Sequence, residues 1–375
     1  MKTRAAVLVS APATAPFAES RPLVVTEVSL DPPGPDEVLV RIRAAGLCHS
    51  DLSVINGHRP RPTPMVLGHE AAGEIVETGS AVKDLAPGDR VVMTFLPSCG
   101  HCLPCAEGRA ALCEPGAAAN GKGVLMSGEI RLHEGGRDIY HHCGVSGFAE
   151  YAVISRHSVV KVDAPDIPFT HLALFGCAVQ TGVGAVLNTC KVQAGQSVAV
   201  VGLGGVGLAA LLGAVAAGAT TIVAVDLHEA KLALARDLGA THVYNAAEAD
   251  IADRILSETG GVDHAVELAG VVPAFELAYK ITRRGGQTVT AGLAPPDAAF
   301  RIPAVNLVAD ERTVKGSYMG SCVPKRDIPR FISLFRAGRL PVDRLLTGTL
   351  TLAQINEGFD LLDRGEAIRQ VITFD

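Results

Sequence analysis

The sequence lacks tryptophan, has few aromatic residues and has no excess of positive charge. Aromatic side chains make up 4% of its 375 residues, and the formal net charge at pH 7 is −6. No internal repeat and no low-complexity linker is found along it. A nucleic-acid partner or an acidic membrane surface would require a basic face. We therefore predict that the protein binds neither.

Two stretches have membrane-like character, and neither is expected to enter a membrane. Met1–Ser10 opens with charged residues, but its apolar part, Ala5–Val9, is shorter than the roughly 7–15 residues of a secretory signal core. The uncharged run 192–225 is long enough to cross a bilayer. Gly202, Gly204, Gly205 and Gly207 interrupt it near its start, so a strand, a turn and a helix are the better interpretation. These patterns favour a cytoplasmic protein without a membrane partner.

The length of the sequence, and a change in its pattern of apolar residues near residue 179, predict two domains of different kinds. The first third contains short alternating segments separated by proline and glycine, such as 38–43 and 91–94, which indicates a β-rich, barrel-like body. From about residue 179, strands alternate with helices. Segments 197–201, 221–225, 262–268 and 287–291 are expected as strands, with helices at 208–217, 229–238 and 274–282. This order predicts an α/β protein with a doubly wound parallel sheet.

Four of the nine cysteines form a compact ladder with the spacing C-x2-C-x2-C-x7-C, namely Cys99, Cys102, Cys105 and Cys113. Four thiolates this close together can surround one tetrahedral zinc ion and leave it no open position, which is typical of a structural site. Disulfides are the alternative explanation, but the odd cysteine count and the ligand-like spacings favour metal in a reducing cytosol. The segment 93–119 has one Arg and no Lys, which argues against a nucleic-acid-binding zinc ribbon.

Cys48, His69 and Cys177 form a second, dispersed set of candidate ligands. Three protein ligands leave a fourth position for water or substrate, which is the pattern of a catalytic zinc. The alternative is three buried side chains that bind no metal. A protein that binds zinc only for structure is the rival from another functional class, but it would not explain this second set.

A glycine-rich turn predicts a dinucleotide site. The motif residues are Gly202, Gly204, Gly205, Val206 and Gly207; they follow a predicted strand and open a predicted helix. Asp226 ends the next strand, in the position that bonds a ribose and repels a 2′-phosphate. The pyrophosphate would lie at the positive end of the helix. NAD is therefore favoured over NADP, and a glycine-rich helix start that binds nothing is the alternative.

These motifs together resemble the zinc-dependent medium-chain alcohol dehydrogenase family over essentially the whole chain. The segment Gly68-His69-Glu70-x2-Gly73-x5-Gly79-x2-Val82 matches the zinc signature of the family, and Gly176-Cys177 followed by Thr181 is similar to its third-ligand segment. A Cys2His set is the known catalytic ligand set of alcohol dehydrogenases. The tail 355–362 with Ile368 and Arg369 is similar to the family's C-terminal end.

The resemblance implies a GroES-like β-rich catalytic domain, residues 1–178 and 319–375, and a Rossmann NAD-binding domain, residues 179–318. It implies two zinc ions per subunit, one catalytic and one structural, and a homodimer of the longer animal- and plant-like branch. The implied activity is reversible hydride transfer between a primary alcohol or aldehyde and NAD(H). The alternative is oxidation of S-(hydroxymethyl)glutathione. Quinone reductases of the wider superfamily lack metal and are disfavoured.

Further roles are implied at matching positions. They are Ser50 as acceptor of the alcohol proton, Asp51 as partner of the His69 ring, Glu70 as a carboxylate near the metal, His49 and Arg369 as pyrophosphate contacts, Thr181 beside the nicotinamide and Lys231 at the adenosine ribose. The substrate pocket is expected to include Phe95, His142, Cys143 and Tyr318. Cys143, Cys190 and Cys322 match no ligand position and are expected to fill apolar space, and His141 and His142 to be surface or pocket residues.

Two positions depart from the family pattern. Ser53 stands where many relatives have a histidine that ends the proton relay, so water or another group must take the proton there. Ala117 stands where the glutathione-dependent branch has an arginine that binds the glutathione carboxylate. The loss of that charge-assisted bond, about 1.5–3 kcal/mol, disfavours glutathione adducts. A mostly apolar slot favours medium-chain or aromatic alcohols.

Overall fold

The computed structural model describes residues 1–374, which divide into two compact units. The first consists of Met1–Cys177, Val323–Pro329 and Leu346–Asp375, and the second of Ala178–Cys322 and Arg330–Leu345.

Strands and helices are numbered along the chain. The strands are β1 (Lys2–Leu8), β2 (Leu23–Leu30), β3 (Glu37–Gly46), β4 (Met65–Val66), β5 (Glu70–Thr78), β6 (Arg90–Met93), β7 (Leu132–Glu134), β8 (Arg137–His141), β9 (Tyr151–Ser155), β10 (Val159–Lys161), β11 (Ser197–Val201), β12 (Thr221–Asp226), β13 (His242–Asn245), β14 (Val262–Glu267), β15 (Thr282–Thr290), β16 (Thr313–Gly316), β17 (Gly348–Leu350) and β18 (Gln370–Thr373). The α-helices are α1 (Phe17–Ser20), α2 (His49–Ile55), α3 (Leu103–Ala106), α4 (Glu114–Lys122), α5 (Phe169–Leu174), α6 (Gln180–Gly184), α7 (Gly205–Ala217), α8 (Glu229–Asp237), α9 (Ile251–Thr259), α10 (Val272–Ile281), α11 (Ala304–Ala309), α12 (Pro324–Arg336) and α13 (Ile355–Asp363). Phe175–Val179 and Ala185–Cys190 are π-helical, and short 3₁₀ turns occur elsewhere.

The first unit is built from β-structure. Strands β1, β2, β7, β8 and β4 form a closed barrel, and β10-β6-β5-β3-β18-β17 form a sheet in which β9 also pairs with β3. Its largest apolar cluster includes Ile42, Leu47, Phe148 and Phe359, all essentially inaccessible to solvent. Burial of such side chains contributes roughly 1.5–3 kcal/mol each, so this core fixes the ends of the strands that carry the site.

The second unit contains one six-stranded sheet in the order β13-β12-β11-β14-β15-β16, and all the pairings are parallel. Helices connect successive strands, as parallel pairing requires. The strand order reverses beside β11, which is the position where ligands bind in doubly wound sheets. The predicted fold class is therefore confirmed.

Element boundaries differ from the predicted ones in places. Helix α10 covers 272–281 rather than 274–282, and β15 begins at Thr282, five residues before the predicted strand. The strand starts where the helix ends because Thr282 is fully buried and pairs with Val262. Helix α7 begins at Gly205 rather than at 208. Its first turn contains two glycines, which have low helix propensity, so the sequence pattern did not indicate a helix there.

The membrane-like run 192–225 folds as β11, α7 and most of β12, which confirms the strand, turn and helix expected there. Within the described residues, one helical stretch, Phe169–Cys190, is long and apolar enough to cross a bilayer, and 83% of its most apolar window is buried inside the protein. By length and composition alone this is weak support for a membrane span.

Glycine is required at the turn between β11 and α7 by close backbone approach. A Cβ at Gly207 would lie 1.8 Å from the carbonyl oxygen of Gly202, whereas a Cβ at Gly204 would meet nothing within 4 Å. Gly202 itself has φ 96°, in the left-handed region that favours glycine.

We expect Gly207→Ala to destabilise the protein by about 1–3 kcal/mol, because the backbone must move to admit the methyl group. Gly204→Ala is the matched control and should unfold like the wild type, since its φ of −69° suits alanine. Urea unfolding followed by circular dichroism measures both. Equal stability of the two variants would contradict the close approach.

Candidate functional site

The structure brings Cys48, His69 and Cys177 together in the first unit. Their ligand atoms all lie within 4.8 Å of one another, and each residue is at most 5% exposed. Cys48 precedes α2, His69 directly precedes β5, and Cys177 lies in the π-helical turn Phe175–Val179. Two sulfurs and an imidazole nitrogen suit zinc, and three ligands leave one position open.

The two thiols of this cluster are not equivalent. A hydrogen bond from Cys177 lowers the pKa of Cys48 well below its usual value, against the opposing effect of burial. The same bond, together with burial, raises the pKa of Cys177. The shared hydrogen bond thus makes Cys48 the more acidic thiol of the two. The sulfurs of Cys48 and Cys177 and the imidazole of His69 together form a donor set. A dication can bind to it by displacing the proton between the two sulfurs.

Asp51 fixes the ring of His69. Its Oδ1 lies 3.0 Å from Nδ1 of His69 and accepts the backbone N–H of Gly68, also at 3.0 Å. Burial opposes a charged His69, but the adjacent carboxylate overcomes it and raises the pKa of His69 well above its usual value. Because Nδ1 faces Asp51, Nε2 is the ring nitrogen left for a metal.

Glu70 and Arg369 form a buried pair next to this cluster. Their side chains are 0% and 3% exposed, and Oε1 of Glu70 lies 3.8 Å from Nε of Arg369. Burial raises the pKa of Glu70 to about 7, although Arg369 acts in the opposite direction. A second nitrogen of Arg369 donates to the carbonyl of Leu47 at 3.1 Å. Arg369 therefore lies within the first unit beside Glu70, and its role as a pyrophosphate contact stays a prediction.

Ser50 and His49 occupy the first turn of α2, directly after Cys48. The Ser50 side chain is partly exposed and His49 is exposed. Ser53, one turn further on, donates its hydroxyl to the carbonyl of His49 at 2.8 Å. Phe95 packs its ring edge-on against His69, with centroids 5.8 Å apart. The predicted hydroxyl of Ser50 thus lies on α2, next to the ligand Cys48, and the predicted aromatic wall Phe95 follows β6 and contacts the ligand His69.

Sequence reasoning missed one contact of this site. Nδ1 of His142 lies 3.0 Å from Oδ1 of Asp51, and its ring packs edge-on against His69 with centroids 5.4 Å apart. His141, by contrast, is a core residue: Nε2 accepts the backbone N–H of Arg131 at 3.1 Å. Neither histidine lies on the surface. The two adjacent histidines were the only signal in the sequence, and their spacing indicated no partner.

Cys143 follows His142 in a left-handed conformation with φ 53°, which is uncommon outside glycine. Burial opposes its ionisation, but the neighbouring His142 lowers its pKa. It is therefore a polarised thiol rather than only an apolar filler. Cys190 is different, since burial raises its pKa to about 12. Tyr318, the other predicted pocket residue, lies in the second unit and is 40% exposed.

The ladder cysteines also come together. All four sulfurs lie within 4.8 Å of one another, and Sγ of Cys99 and Cys105 are 4.0 Å apart. A tetrahedral zinc with Zn–S bonds of about 2.3 Å separates its sulfurs by about 3.8 Å, whereas a disulfide joins them at about 2.05 Å. All nine cysteines are free thiols in the described residues. The geometry fits a four-thiolate metal site.

Backbone N–H groups support the ladder. Cys102 donates to Sγ of Cys99 at 3.2 Å, and Cys99 donates to Sγ of Cys113 at 3.2 Å. Burial opposes ionisation of Cys99, but the N–H groups of Cys102 and His101, which both donate to its sulfur, lower its pKa to about 7. Burial raises the pKa of Cys105 to about 12, so the four thiols are not equivalent.

In the second unit, Asp226 accepts a hydrogen bond from the glycine-rich turn between β11 and α7. Its Oδ2 accepts the N–H of Leu203 at 2.7 Å, and its Oδ1 accepts the N–H of His228 at 3.0 Å. The carboxylate is therefore oriented by the turn itself and keeps lone pairs for a ligand. Val206 and Lys231 are partly exposed at the starts of α7 and α8, and Thr181 is 8% exposed on α6.

Comparison with known proteins finds related chains along the whole length. Residues 34–165 match the alcohol dehydrogenase GroES-like domain, and residues 205–337 match the zinc-binding dehydrogenase family. A Mycobacterium tuberculosis protein provisionally named alcohol dehydrogenase D is 41% identical over 99% of this chain and 100% of its own. An S-(hydroxymethyl)glutathione dehydrogenase from Synechocystis sp. is 38% identical, with all of both chains covered.

Solved structures agree with this assignment. A benzyl alcohol dehydrogenase from Acinetobacter calcoaceticus is 32% identical with a TM-score of 0.93 over 100% of both chains. An alcohol dehydrogenase zinc-binding domain protein from Burkholderia ambifaria is 36% identical, with a TM-score of 0.94 over 100% of this chain and 99% of that one. The chain therefore belongs to the zinc-dependent medium-chain alcohol dehydrogenase family.

Proposed function

We propose that the protein is an NAD-dependent zinc alcohol dehydrogenase that transfers hydride reversibly between a primary alcohol or aldehyde and NAD(H). The observation that carries this proposal is the buried cluster of Cys48, His69 and Cys177, which supplies three ligands and not four within residues 1–374. A purely structural site would be closed, as the ladder is. Family membership supplies the reaction class, oxidoreduction.

In this proposal the two cysteines and His69 hold a zinc ion, which when bound supplies Lewis acidity that favours loss of the alcohol proton and polarises a carbonyl. Asp51 keeps His69 in the tautomer with Nε2 free. Ser50, two residues after Cys48, takes the alcohol proton on its hydroxyl. Ser53 already donates its hydroxyl to the carbonyl of His49 and is a poor base. Water, rather than Ser53, therefore takes the proton at the end of the relay.

Residues 1–178 with 319–375 are proposed as the catalytic domain and residues 179–318 as the nucleotide-binding domain. The glycine turn and the start of α7 would hold the pyrophosphate, with His49 as a further contact. Asp226 and Lys231 would hold the adenosine ribose, and Thr181 would face the nicotinamide. Asp226 supports NAD over NADP, because an oriented carboxylate repels a 2′-phosphate.

The substrate is proposed to be a medium-chain or aromatic primary alcohol. Phe95, His142, Cys143 and Tyr318 are the proposed lining residues. The similarity to a benzyl alcohol dehydrogenase supports an aromatic substrate. S-(hydroxymethyl)glutathione remains the second candidate, since several relatives carry that name. Ala117 is exposed on α4 and carries no positive charge that could bind a glutathione carboxylate.

A homodimer in the cytoplasm is proposed as the working form. Within the described residues, β16 pairs on one edge only, through β15. The preceding segment exposes four apolar side chains, Leu293, Phe300, Val305 and Val308. An open strand edge beside exposed apolar residues is suited to a second copy of the chain. Nine free thiols fit a reducing compartment.

Metal analysis tests the two-site proposal. We expect two zinc ions per wild-type chain and one in Cys177→Ala, which should retain its fold and lose alcohol oxidation. The matched variant Cys105→Ala should also keep one zinc, but its stability should fall, because a closed site contributes folding energy. A single zinc in the wild type would favour a non-catalytic zinc-binding protein and contradict the proposal.

Cofactor preference is tested with Asp226→Ala. Removal of the carboxylate should raise the ratio of kcat/KM for NADP+ to that for NAD+ by about tenfold or more, through lost repulsion and lost ribose bonds worth about 1.5 kcal/mol. Asp237→Ala, exposed at the end of α8, is the charge-matched control. Steady-state rates with both nucleotides measure the ratio. A wild type that prefers NADP+ would overturn the assignment.

Substrate choice is tested with Ala117→Arg. The new cation should raise kcat/KM for S-(hydroxymethyl)glutathione by about tenfold or more, from one charge-assisted bond of about 1.5–3 kcal/mol. Activity toward benzyl alcohol should not change. Ala118→Arg adds the same charge one position along the exposed part of α4 and should have little effect. A wild type that oxidises the glutathione adduct faster than benzyl alcohol would reject the proposed substrate class.

A further inference from the structure

His142 stands in an unusual relation to the proposed zinc ligand His69. In both imidazoles Nδ1 lies 3.0 Å from the same oxygen, Oδ1 of Asp51. The two rings meet edge-on, with an interplanar angle of 86°. The family resemblance implied the carboxylate partner of His69, whereas the second imidazole on that carboxylate comes from the structure alone.

The need for a second donor follows from the burial of Asp51. The residue is 0% exposed, and its Oδ2 has no hydrogen-bond partner within the described residues. Nδ1 of His142 is likewise buried without a formed hydrogen bond, since its N–H is not aimed at Oδ1 in the present ring orientation. A buried carboxylate without enough hydrogen-bond donors destabilises the folded protein and tends to reorient or to take up a proton. Because Nδ1 of His142 is already 3.0 Å from Oδ1, a small rotation of the ring would align its N–H with the Asp51 carboxylate.

We propose that His142 is a positioning residue for the catalytic zinc site: through Nδ1 it holds the Asp51 carboxylate against His69. This inference rests on the zinc enzyme proposed above. Two effects of His142 on His69 oppose each other. By sharing the charge of Asp51, His142 weakens the pull on His69, but without His142 the carboxylate keeps only His69 and the N–H of Gly68 as partners among the described residues. The second effect dominates, because a fully buried carboxylate depends on each donor that replaces water.

The test compares His142→Asn with His142→Leu. The two new side chains have the same number of heavy atoms, so both leave the same space where the ring was. Nδ2 of asparagine can take the place of Nδ1, whereas leucine offers no donor. The readouts are the rate at which each of the two zinc ions is lost to a chelator, and the visible absorption spectrum after cobalt replaces zinc.

We expect His142→Leu to lose one zinc about tenfold faster than the wild type, as is typical when a partner of a ligand histidine is removed. Its cobalt spectrum should shift, and the ladder metal should stay, which shows that the fold is intact. His142→Asn should lie within about twofold of the wild type. Equal behaviour of the two variants, including loss of both metals from both, would overturn the role of Nδ1.

Two further outcomes separate this inference from the proposed function. A third zinc in the wild type that both variants lose would make His142 a ligand and overturn its positioning role. A wild-type chain with one zinc would overturn the zinc-enzyme proposal together with this inference. Equal zinc loss in a two-zinc protein would overturn the inference alone.

Discussion

The antiparallel pairing of β3 with β5 is the constraint on which the candidate site depends. Gly46, the last residue of β3, pairs with Glu70, the first residue of β5. Cys48 and His69 lie just beyond these two positions, so the register of the sheet brings them together. A Cβ at Gly46 would lie 2.9 Å from Oε1 of Glu70. The absence of a side chain there leaves room for a buried carboxylate beside the ligands.

Charge balance is the second constraint. Two carboxylates without solvent access, Asp51 and Glu70, lie near three groups that carry or can carry positive charge, His69, His142 and Arg369. None of these charges would be stable alone in a buried site. Their mutual compensation also keeps the pKa of Glu70 near neutrality rather than higher, because Arg369 opposes the effect of burial. A bound dication would enter this balanced set by displacing the thiol proton of Cys177.

The sequence was sufficient for the features that short-range patterns encode. The alternation of strands and helices after residue 179 predicted the parallel sheet, and the zinc signature around His69 predicted the family. The contact between Asp51 and His142 and the contact between Arg369 and Glu70 could not be predicted in this way. His142 approaches Asp51 across the fold, and Arg369 approaches Glu70 from the C-terminal end, so these contacts depend on tertiary packing. No spacing in the sequence records them.

The two cysteine clusters differ in how far apart their members lie along the chain. The ladder draws all its sulfurs from one short segment, Cys99 to Cys113, whereas the other cluster needs both Cys48 and Cys177. Closing the longer segment costs about 2 kcal/mol more chain entropy, because this term grows with the logarithm of loop length. The ladder can therefore assemble as a local nucleus early in folding. The dispersed cluster forms only once the β-rich unit is complete, so its occupancy reports on the integrity of the whole unit.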